Sequence, residues 1–194
     1  MAKLYFRYGT MGASKTANAL MTRFNYLQQG FNVMLLKPAT DTRDGEGILS
    51  SRIGLSAPVI MVSKETSIMK LFRKNKPSII IVDEAQFLTT EQVDELRAIT
   101  DTEDVPVFCY GLRTDFRTQL FEGSKRLFEI ADSISELKSV CRCGRKAIVN
   151  ARFADGKVTI NGQQVCIGGD EKYKPLCFHC WTEALGKWCF GQNK

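Results

Sequence analysis

No apolar run in this chain approaches the roughly 18 residues that a membrane-crossing helix requires, which argues against an integral helical membrane protein. The opening stretch MAKLYFRYGT has no small-residue cleavage site behind an apolar core. It therefore lacks the layout of a signal peptide, and a cytoplasmic location is expected. Internal repeats and low-complexity tracts are missing, so neither a repeat array nor a disordered linker organises the chain. Histidine is nearly absent, with His179 the only one. The seven cysteines form an odd set in a chain without a secretion signal, which argues against a disulfide framework.

What is present is the composition of a globular protein, 44% apolar and 25% charged over 194 residues, enough for one domain with a small appendage. The formal charge of +6 is unevenly placed. Residues 1–136 carry 17 basic and 17 acidic side chains, whereas residues 137–194 carry 10 and 4. Six of the seven cysteines also lie beyond residue 140. A basic tail can bind nucleic acid, or it can offset metal-bound thiolates or an anionic ligand; the coincidence with the cysteines favours the second.

The first two thirds alternate strand and helix patterns. KLYFRY, NVMLLKP, APVIMV, SIIIV, VPVFCYGL and SISELKSV read as strands. KTANALMTRFNYLQQG reads as a helix stopped by Gly30, SIMKLFRKN as a short helix ended by Pro77, and TTEQVDELRAIT as a helix with a threonine cap. That alternation predicts βαβ units, a largely parallel sheet and helices on both faces, with ligands at the carboxyl ends of the strands. Near Val140 the chain changes character, and we expect two parts: an α/β domain over 1–136 and a smaller one over 137–194. FHCWTEALGKW is the only helical pattern in the second.

Three motifs carry chemistry. GTMGASKT, Gly9 to Thr16, follows a strand and opens a helix, nearly spelling the phosphate-binding P-loop G-x-x-x-x-G-K-[ST]. Small residues at Gly9, Gly12, Ala13 and Ser14 let backbone amides crowd around phosphate oxygens. Lys15 is in register for the β/γ-phosphates and Thr16 for Mg²⁺. Ser14 stands where glycine is usual and brings a Cβ where a positive φ is wanted. The bland alternative is a βα turn with Ser14 capping the helix. IIIVDE is an apolar strand ending in acids: Asp83 suits Mg²⁺, and Glu84, on the other face of the strand end, suits a general base. Cys141-x-Cys143 and Cys177-x-x-Cys180 supply four soft ligands from two short turns, the requirement of a closed, structural Zn²⁺ site. His179 is an alternative fourth ligand to Cys180. Cys109 reads as core, and Cys166 and Cys189 stay unassigned.

The segments FRYGTMGASKT, DTR at Asp41–Arg43, VDEAQFL, CYGLRTDFRTQLFEGS, ELKSVCRCGRKA and IGGDEKY, in this order and spacing, resemble the small zinc-containing thymidine kinase family of bacteria and animal cytosol. The resemblance covers nearly the whole length. It implies a P-loop parallel sheet with flanking helices plus a C-terminal zinc-containing lasso subdomain, and ATP-dependent phosphorylation of thymidine, with deoxyuridine as a further substrate, in nucleoside salvage. It places ATP on Gly9, Thr10, Met11, Gly12, Ala13, Ser14, Lys15 and Thr16, with Asp83, Glu84, Ala85 and Gln86 beside it. Glu84 would be the base on the 5′-hydroxyl, and Lys15 and Arg43 would neutralise the reacting phosphates. Thr16 and Asp83 would hold Mg²⁺. Met11, Leu112, Phe116, Phe121 and Tyr173 would wall the nucleoside pocket, and Ile167, Gly168 and Gly169 would clamp the base through their backbone. It also implies a homotetramer and feedback inhibition by dTTP. From the sequence itself, the lack of a long apolar run argues against a membrane partner, and the few aromatics in the basic segment argue against nucleic acid. Ser14 departs from the family's glycine, and the tight C-x-C from its more widespread C-x-x-C.

Two other readings are a nucleic-acid module with a zinc knuckle and a P-loop ATPase, and a nucleotide sensor without turnover. Salt-dependent DNA binding without nucleoside phosphorylation marks the first; thymidine turnover disposes of the second.

Overall fold

A computed structural model describes residues 1–40, 47–164 and 172–186. The first part of the chain runs β1 (Leu4–Tyr8), α1 (Lys15–Gln28), β2 (Val33–Pro38), β3 (Ile48–Ser50), β4 (Ser56–Pro58), β5 (Ile60–Val62), α2 (Ile68–Asn75) and β6 (Ile79–Val82). It continues with α3 (Thr90–Glu103), β7 (Val107–Gly111), α4 (Glu122–Ile130) and β8 (Ser133–Glu136). The last part holds β9 (Ser139–Val140), β10 (Lys146–Ala147), β11 (Val149–Ala154), β12 (Lys157–Thr159), β13 (Tyr173–Leu176) and α5 (Phe178–Ala184).

Six strands form one parallel sheet in the order β5-β2-β6-β7-β1-β8. Its central strands are buried on both faces, as a parallel sheet requires. Alternation in β6 sends Ile79 and Ile81 to one face and Ile80 and Val82 to the other. The first face is covered by Ala19 and Leu20 of α1. The second is covered by Ile68 and Phe72 of α2, Val93, Leu96 and Ile99 of α3, and Leu127 of α4. Cys109 lies in this second core layer. Helices on both faces, and strands ending together beside the P-loop, are as the sequence pattern implies.

Local boundaries differ in instructive ways. APVIMV divides at Val59: β4 pairs antiparallel with β3, and β5 joins the main sheet. Pro58, with no N–H to give a ladder, ends the first piece. SISELKSV likewise divides, because β8 ends at Glu136 and β9 pairs with β10 in a separate hairpin. Helix α4 was not anticipated in EGSKRLFEI. Gly123 weakens its helical signal, yet that glycine is needed: a Cβ there would lie 2.4 Å from the Ala85 carbonyl oxygen and 2.8 Å from that of Leu88. The threonine cap of α3 is real, a capping box between Thr89 and Gln92.

Helix α1 ends at Gln28, and Gly30 takes φ +78° just beyond it. Its apolar spacing is not all core. Met21, Phe24 and Leu27 are exposed, with Phe31 continuing the stripe. Beyond β8, a third cluster packs around Cys141, Val149, Leu176, Cys177, Cys180 and Trp181, built on the β12-β11-β13 sheet and α5. No helix among the described residues is long and apolar enough to cross a membrane.

Candidate active site

The loop between β1 and α1 holds the first constellation. Gly9 is tightly enclosed: a Cβ there would meet the Leu137 carbonyl oxygen at 2.5 Å and the Ala13 Cβ at 2.8 Å. Gly12 takes φ +79°, and Ser14 takes φ +55° and ψ 29°. The positive φ that the phosphate loop wants is therefore present, carried by a residue with a Cβ. The Ser14 side chain makes no cap hydrogen bond among the described residues. The helix-capping alternative fails, and the first amides of α1 are not sealed by that hydroxyl. Such a helix start attracts anions. Lys15 is buried, and its Nζ donates to the Thr10 carbonyl at 2.8 Å.

Strand β6 delivers the second constellation to the same place. The Thr16 hydroxyl donates to Asp83 Oδ2 at 2.7 Å. Asp83 is 1% exposed, and its Oδ1 has no hydrogen-bond partner among the described residues. Burial, then the neighbouring Glu84, push its carboxyl up to about 7, against the opposing pull of the Thr16 hydroxyl and the Lys15 charge. An orphaned oxygen in a buried carboxylate, beside a threonine hydroxyl, offers the oxygen ligands that a hard divalent cation takes. These residues fit Mg²⁺.

The strand ends at Val82, and Glu84 adopts φ +52° and ψ 37°. Its separation from Asp83 thus comes from a left-handed turn rather than from strand alternation. A short 3-10 turn, Ala85–Phe87, follows. Gln86 Nε2 donates to Glu84 Oε2 at 2.5 Å, and Gln86 Oε1 accepts from the Leu112 amide at 2.9 Å.

Leu112, Phe116 and Phe121 are all buried, with Met11 and Tyr173 half-buried. Two residues of β11 link Met11, Phe116 and Tyr173 to their surroundings, and sequence reading missed both. Asn150 accepts from the Met11 amide at 2.7 Å and donates to the Thr114 carbonyl at 3.0 Å. Arg152 places its guanidinium 3.8 Å from the Phe116 ring centre and 5.2 Å from that of Tyr173. Its Nε donates to the Tyr173 hydroxyl at 2.9 Å and one terminal nitrogen to the Gln163 carbonyl at 2.9 Å. The available signal was the two-residue period of VNAR, which puts Asn150 and Arg152 on one face of a strand. Arg43, Ile167, Gly168 and Gly169 lie outside the described residues, as do Cys166 and Cys189.

The four cysteines Cys141, Cys143, Cys177 and Cys180 converge, with all sulfurs within 4.8 Å of one another. Gly144, at φ +82°, turns the first knuckle, and its amide donates to the Cys141 carbonyl at 2.9 Å. The Cys180 amide donates to Cys177 Sγ at 3.4 Å. Cys143 and Cys177 Sγ are 3.6 Å apart, close to the about 3.8 Å between sulfurs of a tetrahedral zinc site with bonds of about 2.3 Å. The Arg145 amide pulls the Cys143 thiol down to about 6, while hydrogen bonding to Cys143 leads the rise of Cys180 to about 12. Cys180, not the exposed His179, completes the group.

The family profile for Thymidine kinase (TK) matches residues 2–181. A Thymidine kinase of Zymomonas mobilis subsp. mobilis is 47% identical over 190 residues, covering 95% of this chain and 98% of the relative. One from Enterobacteria phage T4 is 46% identical over 192 residues, 96% of this chain and 99% of its own. A third, from Legionella pneumophila, is 46% identical over 201 residues, with 100% and 96% covered.

Proposed function

This chain belongs to the thymidine kinase family, and on that premise we propose that it moves the γ-phosphoryl group of ATP to the 5′-hydroxyl of thymidine. Deoxyuridine is the further substrate in this reading. The observation that carries the mechanism is the convergence of the P-loop with the carboxylates at the end of β6, through the 2.7 Å contact of Thr16 with Asp83.

The amides of Gly12 to Thr16 and the start of α1 would hold the phosphates, and Thr10, Ala85 and Gln86 would border them. Lys15, now bonded to Thr10, would turn to the β- and γ-oxygens. Thr16 and Asp83 would hold Mg²⁺, which when bound neutralises charge on the transferring group. Arg43 would add a second cation there. Glu84 would take the 5′-hydroxyl proton as that oxygen attacks in line. Met11, Leu112, Phe116, Phe121 and Tyr173 would enclose the nucleoside, and Ile167, Gly168 and Gly169 would bind its base through main-chain groups. The four cysteines would hold a structural Zn²⁺ that ties the knuckle before β10 to the start of α5. In this reading residues 1–136 form the ATP domain and residues 137–194 the lasso that closes the nucleoside pocket.

The exposed stripe of Met21, Phe24, Leu27 and Phe31 supports assembly of copies into a homotetramer. Feedback by dTTP, a salvage role and a cytoplasmic location complete the proposal.

The test is ADP formation with each deoxynucleoside in turn, for the wild type and Glu84→Gln. Thymidine-dependent turnover is expected in the wild type. The variant should lose about 10²- to 10⁴-fold in kcat while still binding ATP. Unchanged kcat would remove Glu84 as the base, and turnover without thymidine would remove the kinase assignment.

A further inference from the structure

The amide of Gln86 joins the two halves of this site. Its Oε1 accepts the Leu112 backbone N–H at 2.9 Å, and a backbone N–H can only donate. That contact fixes the orientation of the amide. The NH₂ group must then face the other way, where Nε2 donates to Glu84 Oε2 at 2.5 Å. Gln86 is 1% exposed, so this geometry is protected from water.

The surroundings hold it rigidly. A Cβ on Gly111 would lie 2.9 Å from Gln86 Oε1 and 3.1 Å from its backbone nitrogen, so only glycine leaves the slot that the side chain occupies. From the other side, Gly123 of α4 lets the helix press on the carbonyls of Ala85 and Leu88. Glu84 sits at φ +52°, a sparsely populated conformation that persists only where neighbours enforce it. A turn clamped between two glycines, with one amide reaching from the carboxylate to the pocket wall, is more support than packing alone requires.

We propose that Gln86 is a positioning residue for phosphoryl transfer, aiming the Glu84 carboxylate at the nucleoside 5′-hydroxyl by tying it to the Leu112 backbone. The proposal rests on the reading of Glu84 as the base. It is separate from the place of Gln86 beside the phosphates, because it uses the two hydrogen bonds that the amide makes within the protein.

Two substitutions separate positioning from mere scaffolding. Gln86→Glu keeps an acceptor for the Leu112 amide but sets a carboxylate against Glu84. Gln86→Met keeps the volume and removes both hydrogen bonds. If Gln86 only anchors Leu112, the first variant is benign and the second is not. If Gln86 aims Glu84, both lose kcat, by about 10- to 100-fold. In Gln86→Glu, KM for thymidine and ATP should stay within about threefold, since the acceptor for the Leu112 amide is kept.

The experiment is steady-state kinetics on Gln86→Glu, Gln86→Met, Glu84→Gln and the double variant Glu84→Gln/Gln86→Glu, each checked for folding by thermal melting. In the double variant, Gln86→Glu should change the residual turnover of Glu84→Gln by less than about twofold, because there is no carboxylate left to aim. Wild-type kcat in a folded Gln86→Glu, or a full multiplicative loss in the double variant, overturns the proposal. If Gln86→Glu does not fold, Gln86→Met in the wild-type and Glu84→Gln backgrounds decides: wild-type kcat in the first, or a full multiplicative loss in the second, overturns the proposal equally. Full activity in Glu84→Gln would instead sink the base assignment, an outcome distinct from an inactive Glu84→Gln beside an active Gln86→Glu.

Discussion

The Thr16 hydroxyl and Asp83 Oδ2 stand 2.7 Å apart, joining the first turn of α1 to the end of β6 across 67 residues of chain. The contact leaves Asp83 Oδ1 buried without a partner among the described residues, which is costly unless a cation completes the site. Asp83→Asn should therefore raise the Mg²⁺ concentration for half-maximal turnover by about 10- to 100-fold. Metal titration of initial rates reads this, and an unchanged Mg²⁺ requirement would place the cation elsewhere.

Ser14 occupies φ +55°, which costs an L-residue about 1 kcal/mol relative to glycine. Ser14→Gly should relieve that strain, offset by the backbone entropy of glycine in the unfolded chain. We expect the denaturant midpoint to move little and kcat to equal or exceed that of the wild type. A several-fold loss of kcat would show that the Ser14 hydroxyl has a role of its own.

Arg152 bridges Phe116 and Tyr173 by stacking and hydrogen bonding. Arg152→Met keeps the stem and removes both interactions. About 1–2 kcal/mol of pocket order should be lost, raising KM for thymidine roughly tenfold with KM for ATP nearly unchanged. Arg152→Lys should not restore it, because a point charge cannot stack on Phe116 and bond Tyr173 together. Equal changes in both KM values would contradict this.

The cysteine cluster should carry about one zinc per chain, and Cys177→Ser should abolish it. The metal-free protein should melt at a lower temperature, with increased amide exchange in β9–β13 and α5 and little change in the central sheet. Full zinc content in Cys177→Ser would exclude it as a ligand.

Asp132 Oδ2 accepts from the Leu4 amide at 2.8 Å and from Arg97 at 2.6 Å, and these contacts, the Leu4 amide first, hold its carboxyl below the usual range. A depressed pKa contributes stability above the ordinary carboxylate value, near 3.9, that is lost as pH falls through the lower folded value. Asp132→Asn should cost about 1 kcal/mol at neutral pH. The gap to wild type should stay constant above about pH 5 and close below about pH 4, as urea midpoints across that range will read. A gap independent of pH would mean that packing, not charge, ties α3 to β1.

Much of the fold is local in origin and hence readable in one dimension. Apolar runs such as IIIV, helical periodicity and caps such as Thr89 depend on near neighbours, and they made the parallel sheet legible. So did the P-loop and the paired cysteines, whose chemistry depends on short spacings. Helix α4 was not legible, because Gly123, a poor helix former, is there to let the helix approach Ala85.

The rest depends on groups brought together from distant points in the chain. Nothing near Gln86 marks its amide as the link between Glu84 and Leu112, and nothing near Arg152 marks it as the support of Phe116. Residue order could identify the chemistry of these side chains, since that resides in their atoms. Their partners were decided by the folded sheet, because a hydrogen bond forms where two backbones bring donor and acceptor within about 3 Å, however far apart they lie in sequence.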